Sequence, residues 1–386
     1  MSAAVASSYH PGPGDAWERR DPAHLGMDAG SLADAAAYAT AHETSWPRDL
    51  RAAVEQNLAT GEGEFGAIIG PMRPRGGVNG VILRHGYIAH EWGDTSRVDM
   101  TFSASKSYVA TSAGLALDRG AIRDIDDRVR DTVDDSGFDG PHNSQITWRQ
   151  LLQQTSEWEG TLFGKPDLVD RNRGVMGDTG AALKGTHRDL HPPGTHWEYN
   201  DVRVNRTALA LLRVLRQPLP ALLKAAVMDP IDASDTWQWH GYDNSWVEIE
   251  GRRIQSVSGG GHWGGGLFIS TRDHARFGLL HLRRGRWRDR QLLSERWIDL
   301  ATTPCPVKST YGCMWWLNTE CALFPSAPAS SFFALGARDN VVWIDPDHDL
   351  VAVVRWIDPS ATDGFIARVV SSIRTRASPS GSVIVS

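Results

Sequence analysis

Residues 101–118 read TFSASKSYVATSAGLALD, a run whose apolar positions recur at helical spacing. Arg119 and Gly120 follow as a helix stop, so the run predicts a helix. Ser103 and Lys106 lie three residues apart near its start, a spacing at which two side chains share one helix face. The first turn of a helix also leaves backbone N–H groups unpaired and carries a partial positive charge of roughly +0.5. The run therefore predicts a hydroxyl beside an amine, close to groups that would stabilise an oxyanion.

Two interpretations of this S-x-x-K motif stay open at this point. In the first, partial desolvation and the field of the helix allow the Lys106 amine to give up its proton and to act as a base on Ser103. In the second, Ser103 is an ordinary helix cap and Lys106 is solvated. Because the motif arises often by chance, other residues have to distinguish the two.

A tyrosine is the second candidate for moving a proton. The segment HPPGTHWEYND, residues 191–201, places Tyr199 after a Pro/Gly turn and just before a helical pattern. The chain has only 7 tyrosines, so few others compete for the role. The alternative is that Tyr199 simply packs beside Trp197.

The segments on either side predict both strands and helices. Residues 77–93, GVNGVILRHGYIAHEWG, predict a hairpin around His85 and Gly86. Residues 340–358, NVVWIDPDHDLVAVVRWID, predict two strands joined at Asp345-Pro346-Asp347. Helical patterns occupy residues 28–42, 146–156, 207–228, 271–285 and 364–376.

Strands thus lie towards both ends of the chain, with helices between them. This order predicts an α+β fold, in which an antiparallel sheet is flanked by helices and an all-helical domain is inserted. The predicted division is a mobile N-terminal arm at 1–20, a sheet domain formed by 21–100 and 255–386, and a helical domain at 101–254.

Composition excludes several classes of protein. The chain has 386 residues and a formal net charge of −6, so it lacks the basic surplus of a nucleic-acid binder. Its three cysteines, Cys305, Cys313 and Cys321, form neither a disulfide framework nor a zinc-site spacing. The 14 histidines include no H-E-x-x-H, and neither a P-loop nor a G-x-S-x-G is present. The sequence therefore offers no motif for a zinc site, for a P-loop or for the nucleophile elbow of an α/β-hydrolase.

Two further features bear on location and on nucleotide binding. The N-terminus, MSAAVASSYHPGPGDAWERRDP, has neither the basic nor the apolar region of a secretory signal, and no run is apolar enough for a membrane helix. We expect a cytoplasmic protein that is a monomer or a homodimer. Gly259, Gly261 and Gly264 match G-x-G-x-x-G, but the segment leads into a strand and six glycines lie between 259 and 266, so the match is weak.

Taken together, the motifs resemble those of the serine β-lactamase and penicillin-binding-protein superfamily. The similarity is to its class C β-lactamase-like esterases and amidohydrolases, which include the 6-aminohexanoate-dimer hydrolases. It extends roughly from Gly77 to Val370, and its pieces occur in the family's order. They are TFSASKSYVAT, DIDDRV, ITWRQLLQQTS, PPGTHWEYNDVRVN, GGGLFISTRDHARFG and FALGARDNVVWIDPDHDLVAVV. The resemblance implies a β-lactamase/transpeptidase-like fold.

The resemblance also implies roles for residues. Ser103 corresponds to the acylated nucleophile, Lys106 to the lysine that activates it, and Tyr199 to the tyrosine of the Y-x-N motif. The third position of that motif is Asp201 instead of asparagine. A carboxylate there would accept a hydrogen bond from Lys106 and would favour its protonated form, which leaves Tyr199 as the stronger base candidate.

The family's third motif, K-T-G or H-x-G, corresponds to Ala334-Leu335-Gly336, which lacks the basic residue. That loss argues against β-lactam or D-Ala-D-Ala chemistry, although Arg338 could partly replace the charge. Gly336 would let a substrate approach the strand, or it is a simple bulge glycine. The N–H groups of Ala337 and Ser103 would form the oxyanion hole.

The expected activity is hydrolysis of a small-molecule ester or amide through an acyl-enzyme on Ser103, with no cofactor. Two alternatives remain, namely a β-lactamase or DD-peptidase, and a non-catalytic acyl-ligand binding or sensor protein on the same scaffold. The 16 tryptophans suggest an apolar cleft, although tryptophans fill cores equally well. The candidates for lining the cleft are Trp158, Trp197, Trp263, Trp315 and Trp316.

Overall fold

A computed structural model describes residues 9–14, 16–59, 61–175 and 183–374. Its helices are α1 Ala29–Ala41, α2 Leu50–Asn57, α3 Ser105–Asp118, α4 Trp148–Leu152, α5 Asp201–Leu215, α6 Leu219–Leu223, α7 Thr271–Leu282, α8 Glu295–Ala301 and α9 Thr362–Ser371. Its strands are β1 Asn79–Arg84, β2 Tyr87–Trp92, β3 Asp99–Met100, β4 Thr161–Leu162, β5 Lys165–Pro166, β6 Gln238–Ile249, β7 Arg252–Val257, β8 Gly266–Ile269, β9 Arg286–Trp287, β10 Arg290–Gln291, β11 Trp316–Leu317, β12 Phe332–Gly336, β13 Asn340–Asp345 and β14 Leu350–Arg355.

The main sheet has six antiparallel strands in the order β11-β12-β13-β14-β1-β2. The predicted hairpins are confirmed as β1–β2 and β13–β14, and β1 pairs with β14 so that Val81 lies opposite Val353. This pairing joins the two ends of the chain in one sheet. The α+β class with an antiparallel sheet is therefore confirmed.

The sheet lies between two apolar layers, which explains why β14 is apolar at successive positions. Val351 and Val353 face the layer that contains α3 and α7, whereas Ala352 and Val354 face the layer that contains α1 and α9. Side chains alternate between the faces of a strand, so a strand that is covered on both faces needs apolar residues throughout.

A second sheet differs from the prediction for residues 101–254. Its four strands lie in the order β3-β8-β6-β7, and β6 is a 12-residue strand inside the segment predicted to be all-helical. Alternation of buried and exposed residues along β6, which includes buried Trp239 and Ile249, gives this strand one face on the core. The C-terminal part of the predicted helical segment is thus sheet, although α3 to α6 dominate the rest.

The predicted N-terminal arm also differs where the structure describes it. Residues 1–8 and 15 lie outside the described residues. Tyr9 stacks on Tyr87 with ring centroids 4.0 Å apart, and the buried Trp17 indole donates a hydrogen bond to the Gly86 carbonyl at 2.9 Å. These contacts hold the described part of the arm against the β1–β2 hairpin.

Among the described residues, no helix combines the length and the apolar character that crossing a bilayer requires.

The predicted helix at 101–118 is confirmed as a short 3₁₀ turn, Phe102–Ala104, that continues into α3. This turn follows β3 directly and contacts β12, which places Ser103 between the two sheets.

Candidate active site

Ser103 and Lys106 meet as their spacing predicts. The Lys106 Nζ donates a hydrogen bond to the Ser103 Oγ at 2.8 Å, and the lysine is 2 % exposed. Phe102, which precedes the serine, has a φ of +48°, a conformation that bulky side chains rarely adopt. Backbone strain of this kind concentrates at functional sites, where the surrounding structure enforces it.

Asp201 is the second partner of Lys106. It is the first residue of α5, a helix capped by the Asn200 side chain, which accepts hydrogen bonds from Val202 N and Arg203 N. The Asp201 Oδ1 accepts a hydrogen bond from the Lys106 ammonium. Burial of Asp201 opposes its ionisation, but the charges of Lys106 and of Arg173 hold the pKa of its carboxyl well below the ordinary value. The buried carboxylate thus stays charged and anchors the lysine.

A buried ionic network, which sequence reasoning missed, extends from Asp201. Arg173 Nη1 lies 2.7 Å from Asp201 Oδ2, and His262 Nδ1 lies 3.3 Å from the same oxygen. On its far side, His262 Nε2 lies 2.6 Å from Glu62 Oε1, and Glu62 is also paired with Lys184. These residues come from segments far apart in the sequence, and no motif links them.

The ligand atoms of Glu62, Asp170 and His262 lie within 4.8 Å of one another, and the same network gives this group a cationic side chain as a partner. The Lys184 ammonium already pairs with Glu62 and lies 3.4 Å from Asp170 Oδ1. A protein cation thus neutralises the carboxylates that a metal ion would need.

The glycine run after β7 packs against the Lys106–Asp201 pair. A Cβ atom at Gly260 would lie 2.2 Å from Asp201 Oδ1 and 3.0 Å from Lys106 Nζ. To make room for this Cβ atom, Asp201 Oδ1 or Lys106 Nζ would have to move, and the ion pair between them would break. Close backbone approach therefore accounts for glycine at this position.

Tyr199 lies on the other side of the lysine. Its ring is 4 % exposed, its centroid lies 4.5 Å from Lys106 Nζ, and it stacks on Trp316 at 5.7 Å. Trp197 packs beside it at 6.1 Å. Tyr199 therefore packs against aromatic neighbours and also lies beside Lys106.

A cavity of about 150 Å³ opens onto the serine. Tyr199, Trp316 and Leu335 form part of its wall, and Arg173 and Asp339 contribute charged side chains. Of the described residues, those that line the cavity are Ser103, Arg173, Val175, Tyr199, Trp316, Leu335, Gly336, Ala337 and Asp339. The structure therefore brings Ser103, Tyr199, Gly336 and Ala337 together around one space.

Gly336 positions the end of β12 against the serine turn. A Cβ atom there would lie 2.0 Å from the Thr101 carbonyl oxygen, two residues before Ser103. Glycine thus permits contact between two backbone segments and places Ala337 beside Ser103. The sequence suggested two other reasons for glycine at this position, namely the approach of a substrate to the strand and a β-bulge. The structure adds a third reason, which is contact between two backbone segments.

We expect Gly336→Ala to destabilise the fold by about 1–3 kcal/mol, because the added methyl overpacks backbone against backbone. Ester turnover should fall further than the folded fraction does, because the change separates Ala337 from Ser103. Gly77→Ala is the control, since its Cβ would have 3.6 Å of clearance to Arg48. Thermal unfolding and turnover of both variants, measured side by side, test this, and equal behaviour would contradict it.

Several predicted lining residues lie elsewhere. The Trp158 indole is buried and donates to the Gly137 carbonyl at 2.6 Å, and buried Trp263 donates to Glu62 Oε2 at 2.6 Å. Trp315 packs in the core against Phe277. Each of these large rings removes more apolar area from water inside the core than at a cleft wall. Neither Trp158 nor Trp263 nor Trp315 lines the cavity.

Two other predicted residues are close to the cavity but do not line it. Trp197 packs against two residues that line the cavity, Tyr199 and Trp316, and against Tyr311. The Arg338 guanidinium lies over the Trp46 ring, 5.4 Å from its centroid. Cation–π contact with Trp46 thus accounts for the position of the Arg338 guanidinium.

Solved structures share this fold at low sequence identity. A protein of Bacillus anthracis assigned as a 6-aminohexanoate-dimer hydrolase matches with a TM-score of 0.52 at 18% identity, over 77% of this chain and 78% of its own. A β-lactamase of Mycobacterium bovis matches with a TM-score of 0.52 at 18% identity, over 77% and 95%. EstCE1, a hydrolase with promiscuous acyltransferase activity, matches with a TM-score of 0.54 at 14% identity, over 84% and 98%.

Comparison with curated proteins finds no match. The sequence itself matches the beta-lactamase family over residues 77–357, which is most of the chain and includes both sheets and the serine turn. The chain therefore belongs to the beta-lactamase family, within the serine β-lactamase and penicillin-binding-protein superfamily of serine hydrolases.

Proposed function

We propose that the protein hydrolyses an ester or amide bond of a small molecule through an acyl-enzyme on Ser103. The observation that carries this proposal is the 2.8 Å hydrogen bond from Lys106 to Ser103, at the wall of a cavity that Tyr199 and Ala337 also line. A nucleophile, a proton carrier and a residue that offers a backbone N–H thus border one space, and a lysine contacts the nucleophile from behind it, as acyl transfer requires.

The roles of Lys106 and Tyr199 follow from their partners. The Lys106 side chain pairs with the Asp201 carboxylate and donates a hydrogen bond to the Ser103 Oγ, so the lysine orients Ser103 and stabilises negative charge on its oxygen. Tyr199 acts as the proton relay. Its hydroxyl accepts the Ser103 proton as Oγ attacks the carbonyl carbon, and it passes its own proton to the leaving alcohol or amine.

Deacylation reverses the same route. A water molecule attacks the ester carbon and gives a proton to Tyr199, while Tyr199 returns a proton to the Ser103 oxygen. The N–H groups of Ser103 and Ala337 stabilise the oxyanion in both steps. Loss of one such donor costs about 100- to 1000-fold in rate.

A substrate panel tests this proposal. Purified protein is assayed on p-nitrophenyl esters, linear and cyclic amides, and nitrocefin, and a fluorophosphonate adduct is mapped by mass spectrometry. We expect ester or amide turnover and a label on Ser103. A label without turnover would favour a sensor protein, and efficient nitrocefin turnover would favour a β-lactamase. The absence of a basic residue at Ala334 and the contact of Arg338 with Trp46 argue against the latter.

We expect Tyr199→Phe to lower kcat by about 100- to 10,000-fold, since it removes the proton relay and leaves the ring in place. Its thermal stability should change little, because stacking on Trp316 is retained. Tyr311→Phe is the matched control. That hydroxyl accepts a hydrogen bond from Gln154 at 2.7 Å and does not line the cavity, so its loss should leave kcat within a few-fold of wild type. A kcat for Tyr199→Phe within tenfold of wild type would rule out the relay.

A further inference from the structure

Asp339 is a carboxyl group in the cavity that the proposed mechanism does not use. It lies in the turn between β12 and β13, two residues after Ala337, and it lines the same space as Ser103. The residue is 7 % exposed. The Thr362 hydroxyl, at the start of α9, donates a hydrogen bond to its Oδ2. The Thr362 hydroxyl therefore holds the carboxyl group in place, in a residue that lines the same cavity as Ser103.

The turn that presents Asp339 is strained. Arg338 has a φ of +54° and Asp339 a φ of +30°, and tight hairpin turns that need positive φ normally use Asn-Gly or Asp-Gly. Each such departure costs on the order of 1 kcal/mol or more. A glycine in place of Asp339 would avoid part of this cost and would remove the carboxyl group from the cavity. The strain thus indicates that the Asp339 carboxyl group has a function that glycine could not supply.

Among the described residues, no cationic side chain forms an ion pair with Asp339. The guanidinium of its chain neighbour Arg338 lies over the Trp46 ring instead. Across the cavity, Arg173 is already paired with Asp170 and Asp201. Burial raises the pKa of the Asp339 carboxyl to about 6, so it is ionised above that pH and remains incompletely neutralised.

An unneutralised carboxylate near the oxyanion hole would oppose the negative charge that forms there during acyl transfer. A substrate that brings its own positive charge removes this conflict, because its cation forms an ion pair with the carboxylate, with a charge-assisted hydrogen bond where the ammonium carries N–H groups. We propose that Asp339 is a specificity-determining residue that binds a cationic ammonium group of the substrate, close to the scissile carbonyl. The substrate class is then an ester or amide of an amino acid or of an amino alcohol. This inference rests on the proposed hydrolase function.

Matched substrate pairs test the inference. On the acyl side, p-nitrophenyl 3-aminopropanoate is compared with p-nitrophenyl butanoate, which has a methyl in place of the ammonium. On the alcohol side, butanoylcholine is compared with 3,3-dimethylbutyl butanoate. We expect kcat/KM, corrected for spontaneous hydrolysis, to favour the cationic member of at least one pair by about 10- to 100-fold. Equal values within both pairs would overturn the inference and leave the hydrolase function standing.

Asp339→Asn separates charge from structure, because its amide oxygen still accepts the Thr362 hydroxyl. The cation preference should fall to about unity, because turnover of the cationic esters falls while turnover of the neutral esters rises once the charge that opposes the oxyanion is removed. The control is Asp358→Asn, a nearby carboxylate that caps Ser360 and does not line the cavity, and it should keep the wild-type preference. A preference that survives in Asp339→Asn would contradict the inference.

A pH profile and a binding measurement complete the test. Where the alcohol pair shows the preference, the permanent charge of butanoylcholine isolates the titration of Asp339, so the preference for that ester should disappear as the pH falls through about 6. The groups that face Asp339 are Arg338, Asp358, Thr362 and, across the cavity, Arg173. If wild type turns over neither the esters nor the amides of the substrate panel, the hydrolase proposal fails. Calorimetry on Ser103→Ala then compares 3-aminopropanoate and butanoate ethyl esters, and equal affinities would overturn the role of Asp339.

Discussion

Ser103→Ala is expected to reduce ester turnover by about 10⁴-fold or more, the largest effect of any single change in this chain. The substitution removes the atom that forms the acyl-enzyme, whereas Lys106, Tyr199 and the Ala337 N–H remain in place. The fold should be retained, because the serine is only half-buried and its hydroxyl has Lys106 as donor. Steady-state hydrolysis and the intact mass after fluorophosphonate treatment measure the two consequences.

Ser107→Ala is the control for this prediction. Ser107 lies one turn further along α3, is buried and donates to the Met314 carbonyl at 2.9 Å. Its removal should cost about 1 kcal/mol of stability and leave the fluorophosphonate label on Ser103. Turnover by Ser103→Ala at the wild-type rate would refute the assignment of the nucleophile.

Lys106→Met is expected to lower kcat by about 100- to 10,000-fold and to cost up to about 3 kcal/mol of stability. The rate falls because Ser103 loses its hydrogen-bond donor. Stability falls because the buried Asp201 carboxylate loses its main counter-charge, although Arg173 and His262 remain beside it. Both effects follow from the loss of one ammonium group, which donates a hydrogen bond to Ser103 and pairs with Asp201.

The pH dependence of stability gives a separate readout for this pair. The pKa of Asp201 is depressed in the folded protein, so its contribution to stability is complete above the ordinary aspartate range. That contribution is lost as the pH falls below that range. In Lys106→Met the depression is smaller, so less stability is lost on acidification. Urea unfolding at a series of acidic pH values measures the difference.

Lys165→Met is the matched control, since Lys165 is also buried and donates to the Ala67 carbonyl at 2.9 Å, away from the cavity. It should lose stability and keep the wild-type kcat per folded molecule. If Lys106→Met retained the wild-type kcat, Lys106 would have only a structural role. Comparing Lys106→Met with Lys165→Met therefore distinguishes the effect of removing a buried cation on stability from the effect of removing a catalytic cation on kcat.

Local features of the site could be predicted because they depend on short spacings. Three residues along a helix bring Ser103 to Lys106, and the hairpins around Gly86 and Pro346 follow from alternation and turn residues. Tyr199 was harder, because packing beside Trp197 explained it equally well on sequence. Family resemblance, and then the cavity, associated it with the serine turn.

Tryptophans show the limit of composition. All five candidates are large apolar rings, yet Trp316 lines the cavity whereas Trp158 donates to Gly137 in the core. Both positions bury apolar area, so residue type does not distinguish them. The strand β6 was missed for a related reason, since its pairing with β7 and β8 is not a property of the strand alone.

The sequence by itself determined the family, the α+β class and the Ser103–Lys106 turn, because helix periodicity and motif order are properties of the chain read in one direction. Only the tertiary structure decided that Arg173 and His262 share the carboxylate of Asp201, and that Asp339 borders the space above Ser103. These groups are separated by long stretches of chain. Burial of apolar layers on both faces of the sheet brings them together, and that packing is a property of the whole fold.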